Sequence, residues 1–197
     1  MKRVVITVIS ISVMLVQLGL GQEAKLKIDG QLEGFSLPDV RSGRTVSLSD
    51  FESSKAVVLI FISTGCPYSN AFNVVMADLS KRYGTRGAVF IGINSNKTEP
   101  ARDVKKHAEE NGLEFTVVKD GDSSFANQLG AQVTPEVFLL DKDGKLRYHG
   151  ALGNSRQPTT KVAEANGDEL VQALESVLNG DHVAMPQTKM FGCTIKR

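Results

Sequence analysis

Seven consecutive apolar residues, Ala56-Val57-Val58-Leu59-Ile60-Phe61-Ile62, run directly into Ser63-Thr64-Gly65-Cys66-Pro67. An unbroken, β-branched-rich run of this length suits a strand covered on both faces, since a strand with one wet face alternates apolar and polar side chains. Helices must then lie above and below it, which narrows the chain to layered α/β folds. Pro67 stands where a helix tolerates proline best, in the first turn, whose N–H groups have no intrahelical partner. Phe72, Val75, Met76, Leu79 and Tyr83 follow at spacings of three and four before Gly84. The pattern predicts one amphipathic helix with Cys66 at its start.

The same reading extends along the chain. Residues 88–93 are a second buried-type strand, 100–111 a polar helix closed by Gly112, 115–118 a short strand and 123–129 a brief helix. Segments 136–140 and 146–149 flank Asp141-Lys142-Asp143-Gly144, a turn that joins antiparallel neighbours. Its acidic positions do not continue into the pattern of a calcium loop. Leu170, Ala173, Leu174, Val177 and Leu178 form a stripe ending at Gly180, so a last helix covers a sheet face. Upstream, Gly30, Gly34, Pro38 and Gly43 punctuate a mixed region, and Val46 and Leu48 alternate with polar residues before a helical turn at 48–51. That region is expected to be a hairpin at the edge. The expectation is a mixed sheet between helices over residues 27–180, followed by a tail, 181–197, that carries Cys193.

Met1-Lys2-Arg3 precedes a mostly apolar stretch to Leu20, with Gly19 and Gly21 as small residues before a cleavage point. This is the pattern of a secretory signal over residues 1–21, and the product is expected to be exported, periplasmic or extracellular. A membrane association follows only if the segment stays uncleaved. Without Lys2 and Arg3 the chain has 21 basic against 22 acidic residues. Nucleic acid is not an expected partner, because phosphate binding needs cations gathered on one face.

Cys66 and Cys193 are the only cysteines, 127 positions apart. In an oxidising compartment they can pair with each other, remain reactive thiols, or pair with a partner. His107, His149 and His182 have no metal-ligand spacing around either one, so neither a metal nor an organic cofactor is expected. An unperturbed thiol, with a pKa of about 8.5, is only about 3% ionised at pH 7, so a nucleophilic Cys66 needs activation. A helix start supplies unpaired N–H groups and the positive end of the dipole. Pro67 fixes that turn and Tyr68 is placed to shape a wall of the site.

Three features together carry a family resemblance: Cys66-Pro67-Tyr68-Ser69 between a strand and its helix, Thr134-Pro135 just before the strand at 136–140, and the pair Phe35-Ser36-Leu37-Pro38-Asp39 with Val46-Ser47-Leu48-Ser49-Asp50-Phe51. The chain resembles the thioredoxin-fold redoxin group, which includes AhpC/TSA-type peroxiredoxins and exported thiol-disulfide oxidoreductases related to ResA and TlpA. The resemblance implies a thioredoxin-like α/β fold with Cys66 as nucleophile. It also implies a cis Pro135 opposite the sulfur, with Thr134 offering its backbone to an extended partner. The implied partners are protein or small-molecule thiols and disulfides, or a peroxide.

The departures are as informative. Ser69 stands where such oxidoreductases carry a second cysteine, so no disulfide can form within the motif. Cys66 then works as a monothiol, or Cys193 resolves it from a distance, or activity is lost and the fold serves as a binding module. An extended 179–193 segment reaches about 45 Å, so the second option is within reach. A structural Cys66–Cys193 disulfide is its rival. For the peroxidase alternative, the family's proline seven residues before the sulfur is Leu59 here, while Ser63 can donate in place of its threonine. Arg147 is a candidate anion partner. Ser69 and Asn70 leave out the ligands of a copper chaperone. Asn94-Ser95-Asn96, after a parallel strand, is a polar loop that the topology can bring near Cys66.

Overall fold

In a computed structural model, which describes residues 26–153 and 168–197, the apolar run becomes the middle strand of a five-stranded sheet. The signal segment read at 1–21 lies outside the described residues. In chain order, β1 (Ser36–Pro38) and β2 (Thr45–Ser47) form a separate antiparallel hairpin, followed by a 3-10 turn at Leu48–Phe51. Then come β3 (Ala56–Phe61), α1 (Pro67–Ala71), α2 (Asn73–Gly84), β4 (Ala88–Asn94), α3 (Ala101–Glu110), β5 (Thr116–Lys119) and α4 (Ser124–Leu129). Strands β6 (Val133–Thr134), β7 (Glu136–Asp141) and β8 (Leu146–Gly150), helix α5 (Asp168–Asn179) and β9 (Cys193–Thr194) complete the described elements. The sheet order is β5-β4-β3-β7-β8, with β3, β4 and β5 parallel and β7 and β8 antiparallel. This is the thioredoxin-like architecture expected from the alternation of elements.

Successive residues of β3 face opposite sides, and each side has its own core. Val58 and Ile60 pack with Met76 and Leu79 of α2, Val104 of α3 and Leu174 of α5. Val57, Leu59 and Phe61 pack on the other side with Phe125 and Leu129 of α4 and with Leu37 of the hairpin. Every residue of β3 is buried, which is why the sequence could be apolar without interruption.

Two features differ from the sequence reading or go beyond it. The single helix expected from 67 to 84 is broken at Phe72, whose φ of −96° and ψ of 1° end α1 while its N–H bonds to Ser69 and Asn70 carbonyls. Periodicity alone did not reveal this, because Phe72, Val75 and Met76 remain buried on one side of the break. The segment 181–197, for which the sequence assigned no structure, is built into the domain. It runs beside β8, where His149 N–H donates to Pro186 O (2.9 Å) and Thr188 N–H to His149 O (3.2 Å). It then pairs as β9 with β6 and places Ile195, 3% exposed, in the core beneath α4.

Ile195 therefore holds the tail as a hydrophobic anchor. Ile195→Ala is expected to destabilise the domain by about 2–4 kcal/mol, the range for truncating a buried aliphatic side chain. Urea unfolding checks it, with the midpoint falling and the slope unchanged.

Candidate active site

Cys66 caps α1, and Pro67 occupies its first position. The sulfur accepts from Ser69 N–H (3.4 Å), while Asn70 N–H bonds to the Cys66 carbonyl (2.9 Å). Across from it the Thr134–Pro135 peptide is cis, and the Cys66 thiol donates to Thr134 O (3.1 Å). Cys66 is only 1% exposed. Thus β3, the turn into α1 and the end of β6 converge on one sulfur.

The second sulfur reaches the same point. In the antiparallel β6–β9 pair, Cys193 lies opposite Thr134, the residue whose carbonyl Cys66 contacts. The edge that the family resemblance assigns to an extended partner is occupied by the chain's own strand. Gly192 makes this approach feasible, since a β-carbon there would overlap the Thr134 carbonyl. Both cysteines are free thiols, Cys66 buried and Cys193 partly exposed.

The two thiols polarise each other. Burial pushes the Cys66 pKa up, but hydrogen bonds outweigh it and leave it below the ordinary thiol value. The donors are the Cys193 thiol, the Thr134 side chain and the N–H groups of Ser69 and Cys193. The Thr134 hydroxyl is buried and has no other partner among the described residues. Cys193 moves the opposite way, up to about 11, through burial, its hydrogen bond to Cys66 and the repulsion of the Cys66 charge, against a smaller opposing bond from Tyr68 N–H. The unpaired N–H groups expected at the helix start reach the sulfur as Ser69 N–H, and the activation is local. The helix behind Cys66 has five residues, and named donors do the stabilising.

The remaining motif residues have distinct partners. Ser69, where a second cysteine was missed, is buried and its hydroxyl accepts from Ser63 N–H (3.2 Å). Ser63 donates its own hydroxyl to Glu99 Oε1 (2.6 Å). Arg147 is bound to Asp141 (2.6 Å) and Asp29. Asp141 lies opposite Ala56, at the far end of β3 from Cys66, so Arg147 is not an anion partner of this sulfur. Tyr68 bears on the site through its backbone N–H, which lowers the Cys193 pKa.

Sequence reasoning missed Glu99. Its carboxylate accepts from Thr64 N–H (2.9 Å), Gly65 N–H (3.2 Å), Asn94 Nδ2 (2.5 Å) and Asn96 Nδ2 (3.0 Å) besides Ser63. Burial opposes the charge, yet these donors keep the pKa below the usual carboxylate range. The legible signal was the polar tripeptide 94–96 at the carboxyl end of a parallel strand.

Because Gly192 lets the tail dock, Gly192→Ala is expected to drive the two thiol pKa values together. Cys66 rises and Cys193 falls from about 11. The pH dependence of alkylation, followed separately for the two cysteine peptides, reads both.

The geometry can be set beside known proteins. Residues 29–168 match the Redoxin family. The chain is similar to the thiol-disulfide oxidoreductase ResA of Bacillus thuringiensis subsp. konkukian, at 29% identity over 157 residues and 80% of each chain. It is also similar to the peroxiredoxin Bcp of Escherichia coli, at 26% identity over 58% of this chain and 78% of that one. A crystal structure of a hypothetical protein from Sinorhizobium meliloti superimposes with a TM-score of 0.81 at 30% identity, covering 87% of this chain and 95% of the other. With a thioredoxin-like sheet and a buried, hydrogen-bonded thiol at the first turn of α1, this chain belongs to the Redoxin family and is a thiol-dependent oxidoreductase of the thiol-disulfide type.

Proposed function

We propose that Cys66 and Cys193 form a dithiol–disulfide couple in which Cys66 attacks and Cys193 resolves. The observation that carries this reading is the register of β9 on β6, which sets Cys193 opposite Thr134, the residue whose carbonyl accepts from the Cys66 thiol. In the first step the Cys66 thiolate attacks a partner disulfide, forms a mixed disulfide and releases one partner thiol. The negative charge at Cys66 disappears at that moment. Two of the causes that raise the Cys193 pKa, the hydrogen bond to Cys66 and the Cys66 charge, vanish with it. Cys193 can then lose its proton and attack the Cys66 sulfur. This closes the Cys66–Cys193 bond and releases the second partner thiol, so one disulfide is reduced and one formed. The two protons leave on the partner thiols.

In this reading Ser63, Pro67, Ser69 and Thr134 shape the site, and Pro135 with Thr134 holds the strand that brings Cys193 in. The partners are protein or small-molecule thiols and disulfides, and the chemistry runs through the two sulfurs. Peroxide reduction is the weaker reading. Ser63, the residue that would donate to a peroxidatic sulfur, gives its hydroxyl to Glu99 instead. We assign the pattern at residues 1–21 to a secretory signal, which would place the couple where disulfides persist.

Exposure to oxidised glutathione, then alkylation and peptide mass analysis, is expected to yield a single intramolecular Cys66–Cys193 link. Cys193→Ser is expected to stop at a glutathione mixed disulfide on Cys66, and Cys66→Ser to form neither product. If both thiols of the wild-type protein stay fully alkylatable after oxidation, the resolving role is refuted.

A further inference from the structure

The network on Glu99 does more than fix the turn before Cys66. Its Oε1 accepts from Ser63 Oγ and Gly65 N–H, the latter adjacent to the nucleophile, and also from Asn96 Nδ2. The other end of that amide faces the tail. Asn96 Oδ1 accepts from Lys196 N–H (2.8 Å), and the neighbouring Lys97 N–H donates to Lys196 O (2.8 Å). Lys196 lies three residues beyond Cys193. One carboxylate and one amide therefore join the segment before Cys66 to the segment after Cys193. Asn96 is 4% and Asn94 0% exposed, and Lys119 Nζ donates to Asn94 Oδ1 (2.6 Å) and Asn96 O (2.6 Å), so the unit is rigidly built.

We propose that Glu99 and Asn96 are positioning residues that set the effective concentration of Cys193 at Cys66. The inference rests on the couple proposed above. Neither residue touches a reacting sulfur. They act by holding both cysteine-bearing segments to a common frame, which lowers the freedom lost when the two sulfurs are brought together. A hydrogen bond that only stabilises the fold protects oxidised and reduced protein alike. One that brings the sulfurs together favours the closed couple.

The test equilibrates wild type, Asn96→Ala and Glu99→Gln in buffers of reduced and oxidised glutathione and measures the fraction with the Cys66–Cys193 bond by mass. Tyr83→Phe serves as a control, since it removes a 2.8 Å bond to Glu175 on the α2–α5 surface. Asn96→Ala is expected to lower the effective concentration about tenfold, the scale of one buried hydrogen bond, and Glu99→Gln at least as much. Tyr83→Phe is expected to lower Tm and leave the redox equilibrium unchanged. Should Glu99→Gln not fold, Asn96→Ala decides alone. Wild-type equilibrium in Asn96→Ala with a lowered Tm overturns the positioning role and leaves the couple standing. A wild-type protein that forms no intramolecular bond overturns both.

Discussion

The pairing of two short strands, β6 and β9, is the contact on which the site depends. It is small in extent, with Thr134 opposite Cys193 and Val133 opposite Thr194, yet it determines what surrounds the nucleophile. Without it Cys66 would face an open edge beside Pro135, as a monothiol with Ser69 in place of a second cysteine. With it, the thiol and backbone N–H of Cys193 help to keep the Cys66 pKa below the ordinary thiol value. The tail is held from both directions: Ile195 is buried and its N–H bonds to Gln132 O (2.9 Å), while Arg197 donates to Asn127 (2.7 Å).

This arrangement couples the two ionisations. A proton shared between neighbouring sulfurs favours one charge and penalises a second, so the first thiol falls in pKa while the other rises to about 11. A pair of this kind stays with one nucleophile ready and the other held back. Bonding at Cys66 reverses the balance, because the charge that restrained Cys193 is consumed. Order of reaction thus follows from electrostatics within a single site.

Much of the architecture was legible because its causes are local. The run at 56–62 could be read as a doubly covered strand, and Pro67 as a helix start, from neighbouring side chains alone. Thr134-Pro135 gained meaning from its place before β7. The break at Phe72 escaped because buried positions on its two sides keep helical spacing. The tail escaped for a different reason: strand pairing runs through backbone groups that every residue carries, so nothing in Cys193-Thr194 names Val133-Thr134 as its partner. Its traces were indirect, a glycine beside the cysteine and an isolated isoleucine in a polar segment. Glu99 was hidden likewise, since five donors from two segments, 63–65 and 94–96, meet it only after the chain has folded.

The central claim is that Cys193 helps to hold Cys66 in its reactive, charged form. The most direct measurement is the pH dependence of Cys66 alkylation in wild type and in Cys193→Ala. The account predicts an inflection below the ordinary thiol range in the wild-type protein and a clear upward shift once the Cys193 thiol is removed. Superimposable profiles, or a wild-type inflection above that range, would contradict it.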